Sequence, residues 1–280
     1  MTCDLHVHSM FSDGTFTPEE LIEHAEKLNI GAIALCDHNT TDGLERFIKA
    51  GEKSSVIAIP GIEISTEHNG TELHILAINI PVKNIPLFSK LMENTRKKKE
   101  ENNRELVEKL RIDGYNISYD KIKEANRNAY INRLHIAYAL IDAGYMPTVA
   151  EIYDTLLKPY GKYYTPPKRL DALETIEFIK KNGAIPVWAH PFLSMSYDGI
   201  DTFLPLAKER GLIGMEALYG TYSAEEEKLA FDLCKKHGIL PSGGSDFHAA
   251  AKPDIEMGSG RGNLTIPFNV YKNLINRITF

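Results

Sequence analysis

Cys3-Asp4-Leu5-His6-Val7-His8, then Thr17-Pro18-Glu19-Glu20, then Gly31-Ala32-Ile33-Ala34-Leu35-Cys36 decide how this 280-residue chain folds. The first run reads as a strand. In it His6 and His8 are two apart, so both imidazoles share one face while Leu5 and Val7 take the other. The second run opens a helix, with Thr17 as N-cap, Pro18 at the first helical position and Glu20 closing a capping box. That helix extends to about Leu28. The third run is a short, continuous apolar stretch of the kind found in strands covered on both faces. Strand, capped helix and buried strand form the repeating unit of a parallel α/β sheet.

The pattern continues outward from there. A helix near Asp42–Lys53 precedes strands at Val56–Ile59 and Gly61–Thr66. His68-Asn69-Gly70 marks a turn before the apolar run Leu73–Ile78. After Pro81 the character changes to a long polar helical pattern from about Pro86 to Gly114. Three shorter ones follow, around 119–126, 133–143 and 148–157, the last opening on the capping box Thr148-x-x-Glu151. No strand is expected between 83 and 160. Strand–helix alternation resumes near 170, with caps at Asp171 and Ser223 and strands at Ala184–Ala189, Leu212–Leu218 and Ile239–Ser242. About seven units result. The expected fold is an α/β barrel of parallel strands, residues 1–82 and 165–280, with an inserted helical domain at 83–164.

Composition narrows the function classes. A net charge of −6 gives no general affinity for nucleic-acid backbones, so long duplex nucleic acid is not an expected partner. Cys3, Cys36 and Cys234 show no C-x-x-C spacing, which excludes a thiolate zinc site and points to reduced, buried thiols. No apolar run approaches the roughly 20 residues of a membrane span. The opening residues also lack the basic-then-apolar pattern of an export signal. A cytoplasmic location without membrane partners is therefore expected.

The chemistry resides in histidines and carboxylates at strand ends. Besides His6 and His8, Asp13 follows the first strand, His38 follows the second, and Glu63 lies between apolar neighbours in Gly61–Ser65. His74 lies in Glu72–Leu76, His190 follows Pro186–Ala189, and Asp246 and His248 end Gly243-Gly-Ser-Asp-Phe-His248. In parallel barrels the C-terminal strand edge is where active sites form. Any one of these histidines alone would read as a satisfied core or loop residue; together at strand ends they read as a site. Imidazole and carboxylate ligands without thiolate suit zinc, manganese or iron. Nine ligands are too many for one ion and fit two or three divalent ions with a bridging carboxylate, the arrangement used for phosphate displacement.

Asp4-Leu-His6-Val-His8-Ser9 with Ser12-Asp13-Gly14 resembles the first motif of the polymerase and histidinol phosphatase (PHP) family. Cys36-Asp-His38-Asn39, Pro60-Gly-Ile-Glu63-Ile-Ser65, Ala189-His190-Pro191 and Gly244-Ser-Asp246-Phe-His248 resemble its later motifs. The resemblance spans essentially the whole chain and implies a distorted (β/α)7 barrel with a trinuclear centre. By it, His6, His8, Glu63 and Asp246 would hold one ion. Glu63, His74 and His190 would hold a second, and Asp13, His38 and His248 a third. The expected activity is hydrolysis of a phosphate ester by a hydroxide bridging two ions, with Asp13, His38, Glu63, His190 and Asp246 as catalytic residues. The proton for the leaving group falls to an ion, His190 or a bound water. Asp37 and Ser245 would orient neighbouring ligands, and Glu216 would be a supporting partner rather than a ligand.

Within the insertion, Asn132-Arg133-Leu134-His135 and the Leu157–Tyr164 loop with Lys162 resemble the branch of the family acting on nucleotides. Arg133 and Lys162 would grip a second, non-reacting phosphate, arginine because its planar fork pairs two oxygens. Arg133 as a helix-end salt bridge, and His135 as a packing residue, are the competing readings. The substrate expected is a nucleoside 3′,5′-bisphosphate, an AMP-like nucleotide or short RNA. A histidinol-phosphate or sugar-phosphate phosphatase is the alternative enzyme, a catalytically idle metal-binding module the alternative of another class. A metal-dependent deaminase or amidohydrolase, which also uses H-x-H on a barrel strand, is disfavoured by the shortage of a candidate lysine for carbamylation and by the Gly244-Ser-Asp-Phe-His248 ending.

Overall fold

A computed structural model of the chain describes residues 1–126 and 131–277. Two compact units emerge, Met1–Ser89 with Arg169–Phe280, and Lys90–Lys168. In chain order the elements are β1 (Thr2–Val7), α1 (Pro18–Lys27), β2 (Ile30–Leu35), α2 (Leu44–Gly51), β3 (Ile57–His68) and β4 (Thr71–Ile78). Next come α3 (Ile85–Ile112), α4 (Tyr119–Ala125), α5 (Arg133–Asp142) and α6 (Val149–Asp154). The chain returns through β5 (Leu170–Asp171), α7 (Ala172–Lys181), β6 (Ile185–Ala189), α8 (Tyr197–Arg210), β7 (Gly214–Tyr219), α9 (Ala224–His237), β8 (Leu240–Gly244) and α10 (Phe268–Ile275). The boundary between the units falls inside α3, after Ser89.

The first unit is built on a nearly closed, barrel-shaped sheet ordered β1-β2-β3-β4-β6-β7-β8, with the short β5 pairing β3. The segment after β8 brings the sheet round to β1: Asp246 N–H donates to His6 O and His8 N–H to Phe247 O, both 2.9 Å. Gly244 permits that approach, since a Cβ there would lie 2.2 Å from His6 Cβ. The core includes Leu5, Ala32, Ala34, Cys36, Leu76, Ile78, Val187 and Ala189, all wholly buried. Burying one such Leu or Ile contributes roughly 1.5–3 kcal/mol. The capping boxes at Thr17 and Ser223 form as their sequences require.

Two expectations need correction. Val56–Ile59 and Gly61–Thr66 are one strand, β3, which runs straight through Pro60. The strands are also not all parallel, because β4 runs antiparallel to both β3 and β6. The cause is the tight Asn69-Gly70 turn, where both residues have positive φ (49° and 79°). With His68 paired to Thr71, it is a two-residue hairpin that reverses the chain at once. His74 therefore lies in the first half of an antiparallel strand.

The second unit is helical among the described residues. Its own core includes Leu106, Leu110, Ile122, Ile136, Leu140, Ile152, Leu157 and Tyr164. Asn132 caps α5 reciprocally with His135, whose Nδ1 accepts from Asn132 N–H at 3.1 Å. Among described residues no helix is long and apolar enough to cross a membrane.

Candidate metal centre

The strands of the first unit deliver the nine candidate ligands to one place. His6 comes from β1, with His8 just past it, and Asp13 lies in the turn beyond. His38 follows β2 and bridges to Glu63 of β3. His74 comes from β4, whose reversed direction places its first residues beside the end of β6 (His74 pairs with Ala189), next to His190. Asp246 and His248 follow β8. His6, His8 and Glu63 are completely buried.

Glu63 is the hub. Its Oε1 lies 2.8 Å from His74 Nδ1 and 3.0 Å from His190 Nε2. Its Oε2 lies 2.9 Å from His38 Nδ1, 3.3 Å from His6 Nε2 and 3.4 Å from His8 Nε2. Asp13 stands 3.2 Å from His248 Nε2 and 3.7 Å from both His38 Nε2 and His8 Nδ1. Four overlapping groups have ligand atoms within 4.8 Å of one another. They are His8, Asp13, His38 and His248; His6, Glu63 and His190; His6, His8 and Asp246; and His38, Glu63 and His74. The second and fourth groups both contain Glu63, as a bridging carboxylate would require. His8 also falls with the Asp13 group, a closeness that the sequence reading did not include.

Buried polar atoms test whether cations fit. His6 Nε2, His8 Nε2, His190 Nδ1, His248 Nε2, Asp13 Oδ1 and Glu63 Oε2 are buried without a hydrogen-bond partner. Each such atom costs about 1–3 kcal/mol if left unsatisfied. Six in one cluster, all on side chains of metal-ligating type, fit a site for divalent ions.

Charge in the ion-free cluster is tightly coupled. Burial opposes the carboxylate of Glu63, yet His38, His74 and His6 hold it well below the usual range. Asp246 and Asp13 are likewise depressed against burial, by His8 and His6 in the first case and by His38 and His248 in the second. Burial and the neighbouring His248 push His8 down to about 3, which leaves its ring neutral. Burial also works against charge on His74, but Glu63 and then Glu72 outweigh it and raise the ring to about 10.

The supporting residues extend beyond those expected. Glu216 of β7, fully buried, accepts from His6 Nδ1 at 3.0 Å and from His190 N–H at 2.6 Å. A carboxylate only accepts, so His6 carries its proton on Nδ1 and turns Nε2 toward the centre. The second bond holds His190, which is left-handed at φ 30°, a conformation costing roughly 1–3 kcal/mol. Asp37 accepts from Ser9 N–H, Ser9 Oγ and Ser12 Oγ at 2.6–2.7 Å and so fixes the turn that carries Asp13. Ser245 touches no ligand directly. It donates twice to Asp4 (2.9 and 2.5 Å), which also accepts from Gly258 N–H at 2.7 Å. Tyr219 and Lys252 escaped the sequence reading because neither is a metal-ligand type, and Asp4, although two positions before His6 on the same strand, has no role in it. The Asp4 and Ser245 pair, 241 positions apart, leaves no local signal at all.

Glutamine at Glu216 tests that support. It offers one acceptor and one donor where two donors must be accepted, so one N–H is left facing an amide N–H. Glu216→Gln is expected to weaken metal binding by about 10- to 100-fold, the usual effect of losing such a partner. Titration of the ion-free protein with manganese reads this out, and an unchanged affinity would contradict the orienting role.

The proposed substrate residues lie in the second unit, each with partners there. Arg133 donates to Leu157 O at 3.1 Å and packs on the Tyr164 and Tyr153 rings. His135 serves the α5 cap. Lys162 pairs with Asp113 and lies over the Tyr163 ring.

A model of the PHP domain matches residues 4–165, more than half of the chain. The phosphoribosyl 1,2-cyclic phosphate 1,2-diphosphodiesterase of Eggerthella lenta is 29% identical over 88% of this chain and 93% of its own. The 5′-3′ exoribonuclease Rnm of Escherichia coli is 28% identical over 91% of this chain and 87% of its own. The 3′,5′-nucleoside bisphosphate phosphatase of Chromobacterium violaceum is 27% identical over 91% and 90%. Among solved structures, a protein of Bifidobacterium adolescentis described as a metal-dependent phosphoesterase superposes with a TM-score of 0.82 at 28% identity. That likeness covers 98% of this chain and 96% of the other. Matched along its motifs and across its fold, the chain belongs to the PHP domain family and is a metal-dependent phosphoesterase.

Proposed function

We propose that the enzyme hydrolyses a phosphate ester of a nucleotide, whether a nucleoside 3′,5′-bisphosphate, an AMP-like monophosphate or a short oligonucleotide, and does so in the cytoplasm. The observation that supports this most is the pair of relatives named for a ribonuclease and a bisphosphate phosphatase, aligned along nine-tenths of the chain. His6, His8, Glu63 and Asp246 would hold one divalent ion, Glu63, His74 and His190 a second, and Asp13, His38 and His248 a third, of manganese, zinc or iron. Bound there, such ions lower the pKa of a coordinated water toward about 7 and neutralise phosphoryl oxygens. Glu216 and Asp37 keep the ligands aimed, and burial of the ring nitrogens keeps competing water away from them. Arg133 and Lys162 supply the cations proposed for a second phosphate, and His135 is proposed as a further substrate contact. To bind one, Arg133 would exchange its bond to Leu157 O, and Lys162 its pairing with Asp113.

A panel of substrates tests the reading, with elemental analysis of the purified protein. Phosphate release is measured on nucleoside monophosphates, 3′,5′-bisphosphates, short RNA and histidinol phosphate. Preference for a nucleotide, reduced by Arg133→Ala, is the expected result. Turnover confined to non-nucleotide esters, or a metal content well below two ions per chain, would refute it. A second reading, a sugar-phosphate esterase, is favoured by the phosphoribosyl cyclic phosphate named for the Eggerthella relative. Adding a phosphoribosyl cyclic phosphate to the panel decides between the two.

A further inference from the structure

Asp246 divides its two oxygens. Oδ1 lies 3.1 Å from His8 Nε2 and 3.7 Å from His6 Nε2, whereas Oδ2 accepts from the Tyr219 hydroxyl and the Lys252 ammonium, both at 2.7 Å. The two donors differ in kind. Tyr219 is only 3% exposed, so its hydroxyl serves to hold the carboxylate and has no face left for a ligand. The Lys252 side chain is 41% exposed. Its ammonium has three donors and spends one of them on Asp246.

The backbone carrying Lys252 is fixed. Beyond His248 the chain makes a 3-10 turn over Ala249–Ala251, opened by the left-handed Ala249 at φ 52°. Lys252 N–H donates to Ala249 O and Ile255 N–H to Lys252 O, both at 3.1 Å, and Ile255 and Met257 are buried just beyond. This turn returns the lysine onto the outer oxygen of Asp246. Arg169, another cation near a candidate ligand, is instead spent on Glu72 at 2.6 Å, whose other oxygen faces His74.

The pair joins a buried carboxylate to a half-open ammonium, with side-chain exposures of 9% for Asp246 and 41% for Lys252, so the lysine holds Asp246 from the solvent side with part of its head still accessible. That accessible head suits substrate binding. A phosphoryl group arriving here comes up to Asp13, Glu63 and Asp246, whose charge the bound ions would offset only in part. A compact ammonium on the outer face of Asp246 offsets the remainder and forms a short, charge-assisted bond. We propose that Lys252 is a substrate-contacting residue whose ammonium binds a non-bridging oxygen of the reacting phosphoryl group. The proposal rests on Asp246 as a metal ligand, as given under the function above, and not on the substrate being a nucleotide.

Lys252→Met and Lys252→Arg test it in the metal-loaded protein. Three readouts are needed: metal per chain, calorimetric binding of inorganic phosphate, and kcat and KM for p-nitrophenyl phosphate. Lys252→Met is expected to keep its metal, bind phosphate about tenfold to a hundredfold more weakly and raise KM correspondingly. Lys252→Arg should recover most of the phosphate affinity. Unchanged phosphate affinity in a metal-replete Lys252→Met protein would overturn the proposal. So would loss of metal, since that would make Lys252 a support for Asp246. Neither probe carries a nucleoside, so failure of the nucleotide reading leaves this outcome untouched.

Discussion

Glutamine at Glu63 will nearly abolish turnover, with kcat/KM falling by about 10³-fold or more. The carboxylate stands wholly buried among five imidazoles, its two oxygens shared between His74 and His190 on one side and His38, His6 and His8 on the other. An amide keeps the volume but removes the anion and turns an NH₂ donor toward ring nitrogens that need an acceptor or a cation. Losing one ion and the positioning it provides costs several kcal/mol of transition-state stabilisation, and each 1.36 kcal/mol is tenfold in rate. The variant should also hold less metal than the parent protein. The measurement is kcat, KM and metal per chain, made side by side at saturating manganese. Full metal content with activity within tenfold of the parent would show that Glu63 is not the bridging ligand.

This hub was readable in the sequence for a definite reason. Imidazole and carboxylate side chains between apolar neighbours on strands have few uses; Glu63 lies inside β3 between Ile62 and Ile64, and His6, His8, His38, His190, Asp246 and His248 lie at or just past strand ends. What the sequence obscured was strand direction. An apolar run such as Leu73–Ile78 looks the same in parallel and antiparallel pairing, so a parallel strand was expected where β4 runs antiparallel to both neighbours. The information was present in Asn69-Gly70, a two-residue turn that leaves no room for a crossover helix. Pro60 misled in a similar way. Its missing N–H reads as a strand break, yet β3 continues through it, paired to Leu35 on one side.

Support for the ligands was less legible. Glu216 stood out as a carboxylate inside an apolar strand, whereas nothing near Asp4, Tyr219 or Lys252 announces their partners. Their roles depend on tertiary contacts, 241 positions apart for Asp4 and Ser245, 27 for Tyr219 and Asp246 and 6 for Lys252 and Asp246, and none of these separations is a helix or strand period. Arg133 and Lys162 show the opposite failing. Their charge is plain in the sequence, but not that Leu157 O, two tyrosine rings and Asp113 would engage them.

Loading the ion-free protein with manganese will release protons, and will stabilise the protein more at pH 9 than at pH 6. The sign follows from His74. Its pKa in the ion-free fold, about 10, lies above the ordinary value of 6.5, so the ring is protonated at pH 7 against Glu63. That ion pair stabilises the ion-free fold fully below pH 6.5 and fades as pH rises toward 10. A metal ligand must be neutral, so binding at pH 7 expels the proton and manganese affinity climbs with pH over the same window. His6 and His38, also raised against burial by Glu216 and Glu63 and by Glu63 and Asp13, act in the same direction, while His8, already neutral, contributes no proton. With free metal at 100 times its dissociation constant, each ion adds about 2.7 kcal/mol, so a rise in Tm on the order of 5–10 °C per ion is expected. Calorimetry in buffers of different ionisation enthalpy counts the protons, and thermal melts at pH 6 and 9 give the gain. No proton release on binding, or a gain that is the same at pH 6 and pH 9, would mean that these histidines are already neutral in the ion-free protein and that Glu63 is not held charged by them.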